Sequence, residues 1–157
     1  MSILNNEFLL FLSCAGKNNL KYMLIGGYAV NYYGYNRNTN DMDVWLEPTN
    51  ENKKSFINTL LCMNYSEQEV APLYKEDFTH PFKATVGSEN ASLDFLTFVH
   101  HTINFDEAYN KKEIFEIKEG TSMQFVPYDF LKDMKLKAHR DKDYFDVARL
   151  EEIRNKK

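Results

Sequence analysis

The sequence predicts an α+β domain, and three observations carry that prediction. Short apolar or alternating runs of strand length recur at Lys21 to Ile25, Asp41 to Leu46, Phe78 to Val86, Ala91 to Val99, Glu113 to Lys118 and Met123 to Val126. Stretches with apolar residues at helical spacing stand around and between them. Glycine-bearing turns, Gly87-Ser88-Glu89-Asn90 and Glu119-Gly120-Thr121, join two pairs of these runs and predict hairpins. The 157 residues suit one domain, 1–157, with a core over about 20–126 and a C-terminal helical pair over about 127–154.

The elements follow in order. Asn5 to Ala15 carries Phe8, Leu9, Phe11 and Leu12 at helical spacing, with Gly16 as a stop. Lys21 to Ile25 is an apolar strand. Tyr28 to Tyr33 is a short helix closed by Gly34. Asp41 to Leu46 alternates and ends at Pro48. Thr49 or Asn50 caps a helix from Glu51 to Met63, whose Phe56, Ile57, Leu60 and Leu61 make one face. The region from Asn64 to Lys75 is expected to be irregular, broken by Pro72. Phe105 to Lys112 is a short helix. Pro127 and Asp129 open a helix carrying Phe130, Leu131, Met134 and Ala138 on one side, with Lys132, Lys135, Lys137, His139 and Arg140 on the rest. Asp141 caps a last helix, with Tyr144, Phe145, Ala148, Leu150 and Ile153 expected to pack inward.

Composition narrows the classes of function. Hydrophobic residues are 43% of the chain, with 12 Phe and 10 Tyr, enough for a core. A net charge of −4 argues against a general coat protein of nucleic acid, though a local basic patch can still meet one RNA end. Cys14 and Cys62 are the only cysteines, too few for a disulfide scaffold or a zinc site. Both are assigned to the core, and a reduced cytoplasmic setting is the simpler expectation. No apolar run suits a membrane span, and no signal peptide is evident.

The chemistry gathers between Ile25 and Trp45. Asp41 and Asp43 are two apart on a strand, so both point to one face while Met42, Val44 and Leu46 point to the other. Two like charges that close repel. A cation should sit between them, and Mg²⁺ suits carboxylates combined with phosphate oxygens. Gly26 and Gly27 lie between a strand and a helix start. Lacking Cβ atoms, they allow a ligand close to the backbone, where N–H groups suit phosphate. Asp94 is a lone acid inside the apolar run Leu93-Asp94-Phe95-Leu96, costly unless paired or metal-bound. It is the third candidate carboxylate. Arg37, just ahead of the acid pair, either meets phosphate or pairs with Asp41 to hold its loop. Thr39 shapes that loop. His80, His100 and His101 read as loop histidines, not as metal ligands.

Gly26-Gly27, thirteen residues, then Asp41-x-Asp43 resembles the signature of the DNA polymerase beta-like nucleotidyltransferase superfamily. The fuller string, Gly-Gly-Tyr-Ala-Val-Asn-Tyr-Tyr-Gly followed by Arg37-x-Thr39-x-Asp41-x-Asp43, is similar to its small bacterial branch, which includes abortive-infection toxins of toxin–antitoxin systems. The resemblance implies a mixed β-sheet flanked by helices, a palm-like nucleotidyltransferase fold with C-terminal helices and its acids on neighbouring strands. It implies transfer of a nucleoside monophosphate from a nucleoside triphosphate to an acceptor hydroxyl on RNA, protein or a small molecule. Two Mg²⁺ ions (Mn²⁺ in their place) would lie about 3.5–4 Å apart. Asp41 and Asp43 would bridge them, and Asp94 would ligate the one nearer the acceptor and take its proton. Gly26, Gly27 and the Tyr28 N–H would hold the triphosphate, with Arg37 and Lys135 as further phosphate contacts. A cognate antitoxin would be a partner; a membrane would not.

Lys135, Arg140, Lys142, Asp143 and Asp146 also resemble a pattern of that branch. Lys142, Asp143 and Asp146 read more simply as a solvated face with ion pairs between two helices, while Lys135 stands evenly between that and a contact to nucleotide phosphate. Two departures stand out: Gly27 where many relatives have serine, and Tyr33 where many have histidine. The alternatives to an enzyme of this kind are a catalytically silent nucleotide- or partner-binding module on the same fold, and a metal-dependent phosphohydrolase. The latter usually wants histidines near its aspartates, and none lies near Asp41 or Asp43 in sequence.

Overall fold

The computed structural model describes residues 5–36, 38–88 and 90–156. Its elements are α1 (Asn6–Lys17), β1 (Tyr22–Ile25), α2 (Gly26–Tyr32), β2 (Asp41–Leu46), α3 (Asn50–Cys62), α4 (Glu67–Val70), a 3₁₀ turn (Ala71–Lys75), β3 (Lys83–Ser88), β4 (Ala91–Leu96), α5 (Phe105–Tyr109), β5 (Glu113–Lys118), β6 (Thr121–Phe125), α6 (Tyr128–Ala138) and α7 (Asp141–Asn155). The strands form one mixed sheet in the order β3-β4-β2-β1-β6-β5. Both predicted hairpins form, at opposite edges of that sheet. Between them, β2 runs antiparallel to β1 and parallel to β4, and β1 runs parallel to β6.

The pleat divides the residues. Met42, Val44 and Leu46 of β2, with Leu93 and Phe95 of β4, face the layer made by α1 and α3. Phe95 meets the rings of Phe11 and Phe56 edge-on, at centroid distances of 5.4 and 4.7 Å. Burying each such ring contributes about 1.5–3 kcal/mol. Helix ends are fixed by short polar side chains: Asn5 accepts from the Phe8 N–H, and Thr49 from that of Asn52. The Asn52 side chain in turn bonds both backbone groups of Lys21, tying the start of α3 to the entry of β1.

Away from the glycine turn, four details differ from the sequence expectation. The 64–75 region is not irregular: Ser66 and Glu69 form a reciprocal capping box that starts α4, and Pro72 lies in the first turn of the 3₁₀ segment, where its missing N–H costs little. The first hairpin strand begins at Lys83, not Phe78. Asn50 and Asp77 side chains accept from the backbone of Phe78 and Thr79 and hold that stretch as a turn. On α7 the inward residues are Asp143, Asp146, Val147 and Leu150, while Tyr144 and Phe145 are exposed, because buried ion pairs take the place expected of apolar side chains.

The fourth difference concerns the cysteines. Cys14 of α1 and Cys62 of α3 form a disulfide, with Cα atoms 5.7 Å apart. The pairing joins the two helices of the back layer, and removes the ground on which a reduced setting was expected. The bond closes a loop across 48 positions. The entropy model assigns such a closure at most about 4 kcal/mol. A reductant is therefore expected to lower the melting temperature of the native chain and leave that of Cys14→Ser/Cys62→Ser unmoved; melts with and without dithiothreitol check this. Among the described residues, no helix is long and apolar enough to cross a membrane.

Candidate active site

β2 and β4 lie in parallel register, with Asp41 beside Ser92 and Asp43 beside Asp94. Thr85 of β3 stands on the other side of Asp94. Asp41, Asp43 and Asp94 therefore share the face turned away from α1 and α3. All three sequence-predicted carboxylates meet there. The Ser92 hydroxyl donates to Asp41 Oδ1 at 2.7 Å and lies 3.4 Å from Asp94 Oδ2. The Thr85 hydroxyl donates to Asp94 Oδ1 at 2.7 Å.

Asp43 is half-buried. Burial, then the charges of Asp94 and Asp41, push its carboxyl up to about 6. The site thus holds more negative charge than its surroundings neutralise.

The glycine turn is built against the same acids. Gly26 has φ +64°, and a Cβ placed there would sit 2.1 Å from Asp43 Oδ2. A Cβ on Gly27 would come within 2.7 Å of Thr39 Oγ1. The two absent side chains are the space that an acid and a hydroxyl occupy. This also accounts for Gly27 in place of serine, since Thr39 fills the volume a serine side chain would need. The helix α2 begins at Gly26 itself, two residues before its expected start, so the glycines and Tyr28 form its first turn. The Tyr33 hydroxyl lies 2.8 Å from a Glu113 carboxylate oxygen and 2.7 Å from the Val126 carbonyl, within reach of both for its one proton, and ties that helix to β5 and the end of β6.

α6 and α7 bring a second charged group near the acids. Lys135 Nζ is buried, 3.3 Å from Asp143 and 3.0 Å from Asp146. Its charge reaches Asp43 and partly offsets the repulsion there. Burial alone would raise the Asp143 carboxyl, but the Arg140 hydrogen bond and Lys135 more than offset it and hold it below the usual range. The other lysines of α6 are also paired, Lys132 with Glu151 and Lys137 with Asp133. The predicted basic face is thus largely neutralised by its own neighbours. Arg37 lies outside the described residues.

The donor set suits a hard divalent cation: three carboxyls on one face, one of them driven toward its protonated form by burial and then by the others. Among the described residues, no three acidic, histidine or cysteine side chains already close round one point as a metal cage. Asp41 and Asp94 instead turn oxygens onto hydroxyls. The histidines stand apart. His100 and His101 stack on each other and line a separate cavity of about 430 Å³ with Trp45, Phe98 and Phe105, which takes in none of the three acids.

Sequence reading missed Ser92 and Thr85. The signal was present for Ser92, since Ser92-x-Asp94 repeats on β4 the spacing of Asp41-x-Asp43 on β2.

No family model matches the chain, and no curated protein matches it. Among solved structures, it is similar to the crystal structure of the lincosamide antibiotic adenylyltransferase LnuA with lincomycin bound. Identity is 13% and the TM-score 0.50, over 96% of this chain and 98% of that one. The fold is that of a nucleotidyltransferase. The mixed sheet flanked by helices that the resemblance of residues 26–43 implies is thereby established on geometry, with six strands, and not on sequence likeness.

Proposed function

We propose that this chain is a Mg²⁺-dependent nucleotidyltransferase, moving a nucleoside monophosphate from a nucleoside triphosphate to an acceptor hydroxyl and releasing pyrophosphate. The observation that carries the reading is the meeting of Asp41, Asp43 and Asp94 on one sheet face against the Gly26 turn. The fold shared with an adenylyltransferase supports it.

Reactions of this class need positioning and charge neutralisation more than covalent help. Gly26, Gly27 and the Tyr28 N–H hold the triphosphate. Asp41, Asp43 and Asp94 are the residues that would hold Mg²⁺ or Mn²⁺, which when bound would neutralise the charge developing on the phosphoryl oxygens. Asp94, beside the edge hairpin, accepts the proton of the acceptor hydroxyl. Lys135, held by Asp143 and Asp146, lends positive charge to Asp43. Arg37 is assigned to the phosphates by its place in the sequence.

The acceptor is an RNA end, a protein hydroxyl or a small molecule. A toxin-like role with a cognate antitoxin rests on the Gly26–Asp43 resemblance. The deciding experiment incubates the native chain with each α-labelled triphosphate, Mg²⁺ and a cell extract, then identifies the labelled product. Label is expected on one class of acceptor, with pyrophosphate released in step. Equal signals from the native chain and Asp43→Asn would replace the transferase with a catalytically silent binding module.

A further inference from the structure

The open face of the sheet is a lattice of two adjacent rungs. Across β3, β4 and β2, one rung reads Thr85, Asp94, Asp43. The next reads Gly87, Ser92, Asp41. Gly87 brings no side chain, so Ser92 is the only hydroxyl on the rung of Asp41. A serine hydroxyl has one proton to give. At 2.7 Å against 3.4 Å, that proton goes to Asp41 and not to Asp94. Thr85 supplies Asp94 with a donor of its own. One oxygen of Asp41 and one of Asp94 are thus each tied to a hydroxyl.

Nothing in the core requires these hydroxyls. The apolar neighbours Leu93 and Phe95 face the opposite layer. Ser92 is 8% exposed, and a buried hydroxyl is costly unless it is bonded; its partner is an acid. Asp41, by contrast, is exposed at the start of its strand, and an unheld carboxylate there would sample several rotamers. Groups that orient ligating side chains in this way are worth about ten- to a hundredfold in metal affinity.

We propose that Ser92, assisted by Thr85, is a positioning residue. The two hydroxyls fix the rotamers of Asp41 and Asp94, so that these acids and Asp43 receive a divalent cation without first being gathered from separate orientations. The proposal rests on the transferase reading for the presence of the cation, and extends it to the residues that hold the acids.

Mn²⁺ serves as the probe, titrated into the full chain without triphosphate and followed by the electron paramagnetic resonance signal of the free ion. Ser92→Ala is expected to weaken Mn²⁺ binding about tenfold or more, and Ser92→Thr to restore it. Thr85→Val, on an exposed edge strand, is expected to weaken it as well; thermal melts verify that each variant is folded. Native affinity in both Ser92→Ala and Thr85→Val overturns the proposal. So does a loss in Ser92→Ala that Ser92→Thr fails to restore, since that pattern marks packing. Should Ser92→Ala fail to fold, Thr85→Val decides alone. If the native chain binds Mn²⁺ no better than Asp43→Asn, the transferase reading loses its cation, and this proposal falls with it. Native binding that is unmoved by the hydroxyl variants sinks this proposal only.

Discussion

Asp43→Asn is expected to lower nucleotidyl transfer at least about a thousandfold while making the metal-free protein more stable. The two effects share one cause. A cation held by three acids contributes several kcal/mol to the transition state, and losing the central acid removes much of that. The same acid is a liability without the cation. Its carboxyl is pushed from 3.8 up to about 6, first by burial and then by Asp94 and Asp41. A folded value above the unfolded one means that the folded chain binds the proton more tightly. The associated stability is complete below about 4 and is lost as pH rises through about 6. At neutral pH the metal-free protein therefore bears a half-buried, repelled charge costing on the order of 2 kcal/mol. Melts of the metal-free native chain should fall more steeply between pH 4 and 7 than those of Asp43→Asn. At pH 7 the variant should melt several degrees higher. A variant that melts lower at pH 7, or retains transfer, contradicts this account.

Gly26→Ala is expected to reduce transfer at least about a hundredfold, with stability falling instead of rising. The added methyl meets Asp43 Oδ2 at 2.1 Å, so the carboxylate must move. Misplacing a reacting constellation by about 1 Å is enough for a loss of that order. The positive φ adds about 1–2 kcal/mol of backbone strain for any residue with a Cβ. Gly120 provides the control. It has φ +80° in the β5–β6 turn, and a Cβ there meets nothing within 4 Å. Gly120→Ala should carry the strain without the clash, losing stability and keeping full transfer. Initial rates and melts of both variants separate the contributions. Equal transfer in Gly26→Ala and Gly120→Ala would mean that the Gly26 turn is structural only.

Local chemistry explains what the sequence made legible. Asp41, Asp43 and Asp94 stood out because an acid inside an alternating or apolar run is expensive, and the pleat then sets its direction. The strands that carry them and both hairpin turns were readable on the same period-two logic. Long-range pairing was not readable. Nothing local distinguishes two core cysteines from the Cys14–Cys62 disulfide, since only the packing of α1 on α3 brings them together. α7 was misread because hydrophobicity alone places Tyr144 and Phe145 inside, whereas Lys135 draws Asp143 and Asp146 inward. Thr85 lies nine positions from its partner Asp94, and only the hairpin register reveals it.

The parallel pairing of β2 with β4 has a consequence for the chain as it is made. The first two acids are synthesised about fifty positions ahead of the third, and everything from α3 to β3 must leave the ribosome in between. A nascent polypeptide that ends before Asp94 carries the glycine turn and the acid pair, but has no neighbouring rung on which to complete them. Under the proposed reading the three-acid site can form only once β4 has been made, and a fragment that stops before it should show no transfer however well its first helices have formed.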